Sequence, residues 1–433
     1  MSRPNRTRWH GDGGPPASAP AVRPVHFILA LVVLDTMGSG LLIPVLPKLI
    51  ARLTPSGLVH ASLYGGEISA LFAAVQFLTA PVLGNLSDRF GRRPVLLVSL
   101  GAFGLNYLIM GFASSILELF LSQALAGVFG ATLATAGAYL ADVTPGPERA
   151  HRFGLIGASM GVGIIVGPVL GGLLSHFDLR LPFFAAAGLS LLNVAYGTFV
   201  LPESLAPHKR RPFSLKRAHV LGAFWQLRRI PLVFHLLGAS LLMRFALQTV
   251  PSTWPYFAMQ QYTWTPLQVG YSLGLYGTMS ILGQGILVGR LSPRVGAAWC
   301  VRLGQCMSIV GLLGFAFAPS GTVALAFIIP SALGYITGPT MTGMMSLQTP
   351  AEQQGELQGA IASLTSLSMI VTPPVMTHIY QRFATGIAGM RFPGAAYLAA
   401  ATLAGASFTV FSRTTRRLGL PRSAAEPPSR PAR

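Results

Sequence analysis

The sequence predicts an all-α polytopic membrane protein of twelve transmembrane helices, arranged as two pseudo-symmetric six-helix halves. Three observations predict it. Of 433 residues, 52% are hydrophobic and 10% charged, whereas soluble domains carry about a quarter charged residues. Apolar windows of roughly 20 residues, the length that crosses the hydrocarbon core, recur twelve times. A pattern of Gly and Arg in the first half returns 205 residues later in the second.

The first apolar run, Val25 to Pro47, is longer than the apolar region of a signal peptide and is followed by no small-residue cleavage site, so it should stay as a membrane helix. The windows that follow are 62–84, 94–113, 115–141, 153–175 and 182–201, then 231–257, 267–289, 296–318, 321–346, 357–379 and 393–412. Several contain Gly and Pro, which spanning helices tolerate when neighbouring groups re-satisfy the freed backbone. Around them the composition shifts. Residues 1–23, rich in Pro, Gly, Ser and Arg, read as a disordered N-terminal tail, and 413–433 as a basic C-terminal tail. Residues 202–230, with Lys209, Arg210, Arg211, Lys216 and Arg217, read as a basic linker between an N-terminal half (24–201) and a C-terminal half (231–412).

The repeat supports that division. Gly84, Arg89 and Gly91 return as Gly289, Arg294 and Gly296, with Pro293 in place of the acid Asp88, and Thr144-Pro145 returns as Thr349-Pro350. Parallel duplication of this kind puts a substrate site near the midplane between the halves.

Charge sets orientation and excludes several functions. With the N-terminus inside, 25 of the 31 Lys and Arg residues fall in cytoplasmic segments and five in outer loops, leaving Arg244 inside the seventh span. Both termini are therefore expected in the cytoplasm. The net charge of +19 is dispersed over loops without aromatic interleaving or a nucleic-acid motif, so anionic lipid is the expected partner and nucleic acid is not. Cys300 and Cys306 lie six apart in one span, which supports neither a disulfide framework nor a zinc site; no metal is expected. A phosphate-binding G-x-x-x-x-G-K-[ST] loop is absent from a chain whose only lysines are Lys48, Lys209 and Lys216. No cofactor and no enzymatic activity are expected.

Between the second and third windows stands Gly84-Asn85-Leu86-Ser87-Asp88-Arg89-Phe90-Gly91-Arg92-Arg93-Pro94. Gly84 and Gly91 permit close approach and tight turning, Pro94 suits a first helical turn, and Asp88 offers an anion to a helix N-terminus or a nearby Arg. A basic stop-transfer loop would need only the positive charges. The full spacing resembles the loop between the second and third helices of the major facilitator superfamily. The resemblance implies a transporter that works by rocking about a central site, with Asp88, Arg89 and Arg93 locking the cytoplasmic faces of the halves together. Arg92, Asp142 and Arg152 complete the expected gating cluster.

In the fifth window Gly163, Gly167 and Gly171 share one face at four-residue spacing, so another helix can approach closely. With Pro168 and Gly172 the run is similar to the G-x-x-x-G-P-x-x-G-G motif of exporters in the superfamily. That likeness implies efflux rather than uptake. Leu34 to Pro47, Ser87 to Leu97, Gly154 to Gly172 and Met345 to Gly359 resemble the tetracycline/proton antiporters, so similarity covers most of the membrane domain.

The candidate coupling or substrate residues are Asp35, Glu67, Gln76, Asn106, Gln123, Arg244 and Gln248. Asp35 lies about ten residues into its helix, where a carboxylate is costly to keep charged and is a functional candidate by default, or else the partner of a buried Arg. Arg244, at similar depth, needs an anion: Asp35 or Glu67 in a fixed ion pair, or an acidic substrate. Glu67 stands toward an outer helix end, where it can instead snorkel to water. Gln76 and Gln248 match polar positions of the resembling exporters. Trp254, Tyr256, Tyr271 and Tyr276 offer surfaces for a flat ligand, although Trp and Tyr also gather at membrane interfaces.

At three positions the chain departs from that pattern. Asn106 and Ser308 stand where the tetracycline antiporters have acids, and Gln123 where they have a base. An amide hydrogen-bonds a ligand but does not carry a proton through a cycle. Proton coupling would rest on Asp35, with Glu67 and Arg244. The expected function is export of a small, partly hydrophobic compound, tetracycline or a related drug, in exchange for protons across a bacterial inner membrane, by a protein active as a monomer. An uncoupled metabolite carrier or a non-transporting receptor of the same fold stands as the alternative.

Overall fold

In the computed structural model residues 22–55, 57–210, 230–386 and 389–417 are described; the predicted tails at 1–21 and 418–433 and most of the predicted linker, 211–229, lie outside them. The described chain is helical, and proline and glycine set where each helix stops. α1 (Val22–Leu42) ends just before Ile43-Pro44, since a residue preceding proline is driven out of the helical region. α2 (Leu46–Leu53) restarts with Pro47 in its first turn, so the predicted span to Pro47 is two helices rather than one. The rest of the first half is α3 (Gly57–Phe90), α4 (Arg92–Phe112), α5 (Ile116–Val128), α6 (Thr132–Val143), α7 (Arg149–Phe177) and α8 (Leu181–Val200). The second half comprises α9 (Pro231–Gln261), α10 (Pro266–Leu282), α11 (Val288–Val295), α12 (Ala297–Phe317), α13 (Gly321–Leu333), α14 (Thr337–Leu347), α15 (Gln354–Ala384) and α16 (Ala395–Arg417).

Among the described residues eleven helical stretches are each long and apolar enough to cross a membrane. The twelfth is α10 and α11, joined through a π-turn at Gly283–Leu287 whose flanking residues keep helical backbone angles. Both halves therefore hold six spans, the predicted number. α3 and α15, at 34 and 31 residues, run to about 50 Å at 1.5 Å per residue. The apolar windows mark only their middles, and α16 likewise continues past 412 to Arg417.

The 205-residue repeat is a repeat of backbone. Gly91 (φ +111°) and Gly296 (φ +86°) are single-residue hinges between consecutive helices. Each donates its N–H to a serine carbonyl four residues back, Ser87 and Ser292. Ser115 and Ser320 cap α5 and α13 with their side chains. The helix breaks at 129–131 and 334–336 also lie 205 residues apart, although only the turn residues, not these breaks, stood out in the sequence.

Burial divides the molecule along its long axis. At the end away from the 84–94 loop, one core runs through both halves, from Leu41, Tyr107 and Phe183 to Trp254, Phe315 and Tyr397. At the loop end there are two cores. One, with Phe27, Leu96 and Tyr139, belongs to the first half, and the other, with Leu236, Met341 and Phe411, to the second. The halves are joined at one end and separate at the other.

Candidate functional site

Small residues make the joined end. A β-carbon at Gly167 would stand 2.7 Å from the Met37 carbonyl oxygen and 2.9 Å from Cα of Gly40, while Gly163 and Gly171 press on Thr36 and Leu41 of α1. Gly172 is fitted to Leu267 of α10, where an added β-carbon would be 2.7 Å from Cα, and Gly270 sits on the Pro168 carbonyl. The glycine face thus seats α1 along one edge of α7 and the opposite half along the other. A second seam joins α3 to α9 and α15, with Gly65 against the Tyr256 ring and Gly66 against Thr377 and Pro373. By contrast Gly84, Gly154, Gly157, Gly285, Gly289, Gly355 and Gly359, all toward the loop end, have open space where a side chain would go.

Among the described residues the loop is ordered by the first half and the start of the linker. Arg92 pairs with Asp88 at 2.7 Å and with Asp142 at 3.2 Å, and it donates to Ser87 Oγ at 2.7 Å. Arg93 donates to the Thr198 carbonyl at 2.7 Å, and Arg89 lies 5.1 Å over the Phe90 ring. The anion at the N-terminus of α4 is not Asp88 but Glu203, which accepts from the Arg92 and Arg93 amides at 2.9 and 3.3 Å. Gly91 is required twice over: its φ is positive, and a side chain there would strike the Glu203 carboxylate. Ser204 donates to Asp142 and Tyr139 to the Pro202 carbonyl, so the chain leaving α8 is tied to the loop at several points. Arg152 pairs with Glu148 at 3.3 Å rather than with Asp142. None of these partners lies in the second half, so the expected lock between halves is unmade where the loop ends stand apart. Glu203 escaped the sequence reading because nothing local links it to residue 92; the signal was an acid just past the end of a span.

Two cavities of about 280 Å³ each adjoin one another, the first lined by the second half and the second lying between the halves. The first is walled by Arg244 and Gln248 of α9, Gln284 of the π-turn and Tyr335 of the α13–α14 break. Gln284 and Tyr335 also wall the second, which is mostly apolar and reaches Thr36 and Ser39 of α1, Ile164 and Pro168 of α7, and Tyr276. Tyr276 meets Tyr335 edge to face, ring centres 5.8 Å apart. Irregular backbone shapes the site: the π-turn and the break both bring side chains to the shared wall, as such irregularities often do at functional sites. Gln284, Tyr335, Thr36 and Ser39 were not singled out from sequence. Gln284, between two glycines in an apolar span, was the legible one.

The other candidates disperse. Asp35 is half-buried on α1 and faces Tyr107, which packs against Gly38 one turn on. Among the described residues neither Asp35, Glu67 nor Arg244 forms an ion pair, so the fixed Arg244 pair is not made. Glu67 is exposed. Gln76 donates to the Gly130 carbonyl, and Thr79 to that of Gly127 at 3.1 Å, which satisfies backbone freed at the α5–α6 break. Gln76 is thus a structural partner. Asn106 is 1% exposed with Oδ1 unbonded, and Gln123 lies 3.3 Å from the Met110 sulfur. Ser308 is fully buried against Gly334 of the α13–α14 break. That seam has no room for a larger acidic side chain. Trp254 is 1% exposed and donates to Ser272 at 2.9 Å within a cluster of Phe257, Trp264, Phe315 and Tyr397. It belongs to the joined core, neither to a ligand site nor to an interface, while Tyr271 is exposed.

A family model described as Major Facilitator Superfamily matches residues 28–373 and 236–432. The tetracycline resistance protein, class C, of Escherichia coli is 41% identical over 82% of this chain and 88% of that protein. The class B protein of the same organism is 34% identical over 81% and 87%, and multidrug resistance protein 2 of Bacillus subtilis 28% over 80% and 86%. Among solved structures, a bacterial homolog of the human lysosomal transporter Spinster, inward-facing and occupied, superposes with a TM-score of 0.73 at 15% identity, covering 92% of this chain and 98% of that one. The human organic anion transporter MFSD10 gives 0.68 at 22%, covering 91% and 100%.

Proposed function

The chain belongs to the major facilitator superfamily and groups there with the tetracycline resistance proteins, and on that premise we propose that it exports tetracycline or a related drug in exchange for protons. It is a multi-pass membrane protein and a secondary active transporter. We place it in a bacterial inner membrane with both termini in the cytoplasm, so that the loop end is the cytoplasmic end and the conformation described is inward-facing. The observation that carries the reading is a cavity between halves that are joined at one end only, adjoined by a second cavity in the wall of the C-terminal half. Such a site is reached from one side at a time, and rocking the halves about it moves a bound compound across. The glycine faces of α7 and α10 supply a close seam that can part and reform. Asp35 is the half-buried carboxylate left to take up and release the proton, since Asn106 and Ser308 carry no charge and Glu67 is exposed. The proton gradient is then the energy source, and no cofactor is needed.

The test is accumulation of labelled tetracycline in inverted vesicles with an acidic interior. Uptake that collapses with nigericin supports the exchange. Uptake unaffected by nigericin, or uptake of other drugs with none of tetracycline, would reject that part of the reading.

A further inference from the structure

Among the described residues Arg244 is the one charged residue on the walls of either cavity. It stands 14 residues into α9, about 20 Å along the helix axis, and its Nε is buried without a hydrogen-bond partner. Asp35 and Glu67 leave it unpaired, and the residue that faces its charge is Tyr335, a phenol. A guanidinium taken out of water without an anion is costly, and its planar fork suits a carboxylate or an enolate. Around it stand the amides of Gln248 and Gln284, which supply donors without negative charge. Beyond the shared Gln284–Tyr335 wall the second cavity is apolar, with Ile164, Leu273 and Ile281 on its sides.

We propose that this site selects amphiphilic organic anions, the anionic group on Arg244 and the apolar body in the second cavity. This deepens the export reading, on which it rests for direction, by naming the charge of the cargo. A cationic drug would meet an uncompensated positive charge and be disfavoured. Arg244 thereby takes its missing anion from the substrate.

Two probes with one ring system separate charge from shape: 1-naphthoate and 1-naphthylmethylammonium, titrated calorimetrically into the full-length protein in detergent. The expected result is naphthoate binding that weakens at least tenfold in Arg244→Gln and by less than threefold in Arg244→Lys, while the ammonium probe does not compete. Thermal melting of each variant checks the fold, and Ser39→Ala, on the apolar side, should change naphthoate affinity less than Arg244→Gln. No naphthoate binding, equal binding of both probes, or unchanged affinity in a folded Arg244→Gln protein would overturn the proposal. Because binding is read without a gradient, failure of tetracycline export leaves this result intact, and the reverse also holds.

Discussion

Glu203 accepts a hydrogen bond from the Arg92 backbone amide at 2.9 Å, which ties the start of the inter-half linker to the first turn of α4. An acidic group at a helix N-terminus satisfies donors that have no partner within the helix and opposes the helix dipole. Glu203→Ala should lower stability by about 1 kcal/mol, in the range of a lost N-cap, and slow transport several-fold by loosening the loop. Glu203→Gln, which keeps an acceptor, should recover most of the stability. Detergent melting curves beside vesicle transport rates check both.

The glycine faces divide into two behaviours. Gly171→Ala drives a methyl into the Leu41 backbone, and Gly172→Ala into that of Leu267. Backbone does not step aside as a flexible side chain does, so both variants should melt lower and lose transport. Gly84→Leu meets open space in the conformation described. It should melt like the parent and keep substrate affinity, yet lose most transport if the loop ends close on one another during the cycle. Affinity and flux measured on one preparation distinguish the two.

Gln76 and Gln284 are both amides in apolar spans, and they should respond differently. Gln76→Ala strands the Gly130 carbonyl, which should cost about 1 kcal/mol without altering which compounds are carried. Gln284→Ala removes a donor shared by both cavities and should raise KM while leaving the melting temperature near the parent value. A KM series over several substrates, with melting data, is the check.

The architecture was legible because hydropathy, the Gly-Arg loop and the 205-residue repeat are properties of single stretches or of their spacing. Twelve spans followed from them, and the structure differs mainly where proline or a π-turn divides a span, as at Pro44 and Gly283. The site was less legible. Arg244 and Gln248 reach the cavity, but Gln76 turned out to hold a helix break and Trp254 a core, because a polar or aromatic residue in a span reads the same whether it faces a cavity or a neighbouring carbonyl. Glu203 and Tyr335 depend on contacts across 111 residues and on a helix break respectively, neither of which has a local signature.

The exchange of drug for proton turns on Asp35, and one variant tests it most directly. Asp35→Asn keeps the size of the side chain and removes its ability to bind and release a proton at ordinary pH. In inverted vesicles the account predicts that this variant loses accumulation driven by a pH gradient, while it still swaps labelled for unlabelled tetracycline when no gradient is present. Gradient-driven accumulation at the parent rate in Asp35→Asn would contradict the account and move the coupling to another group.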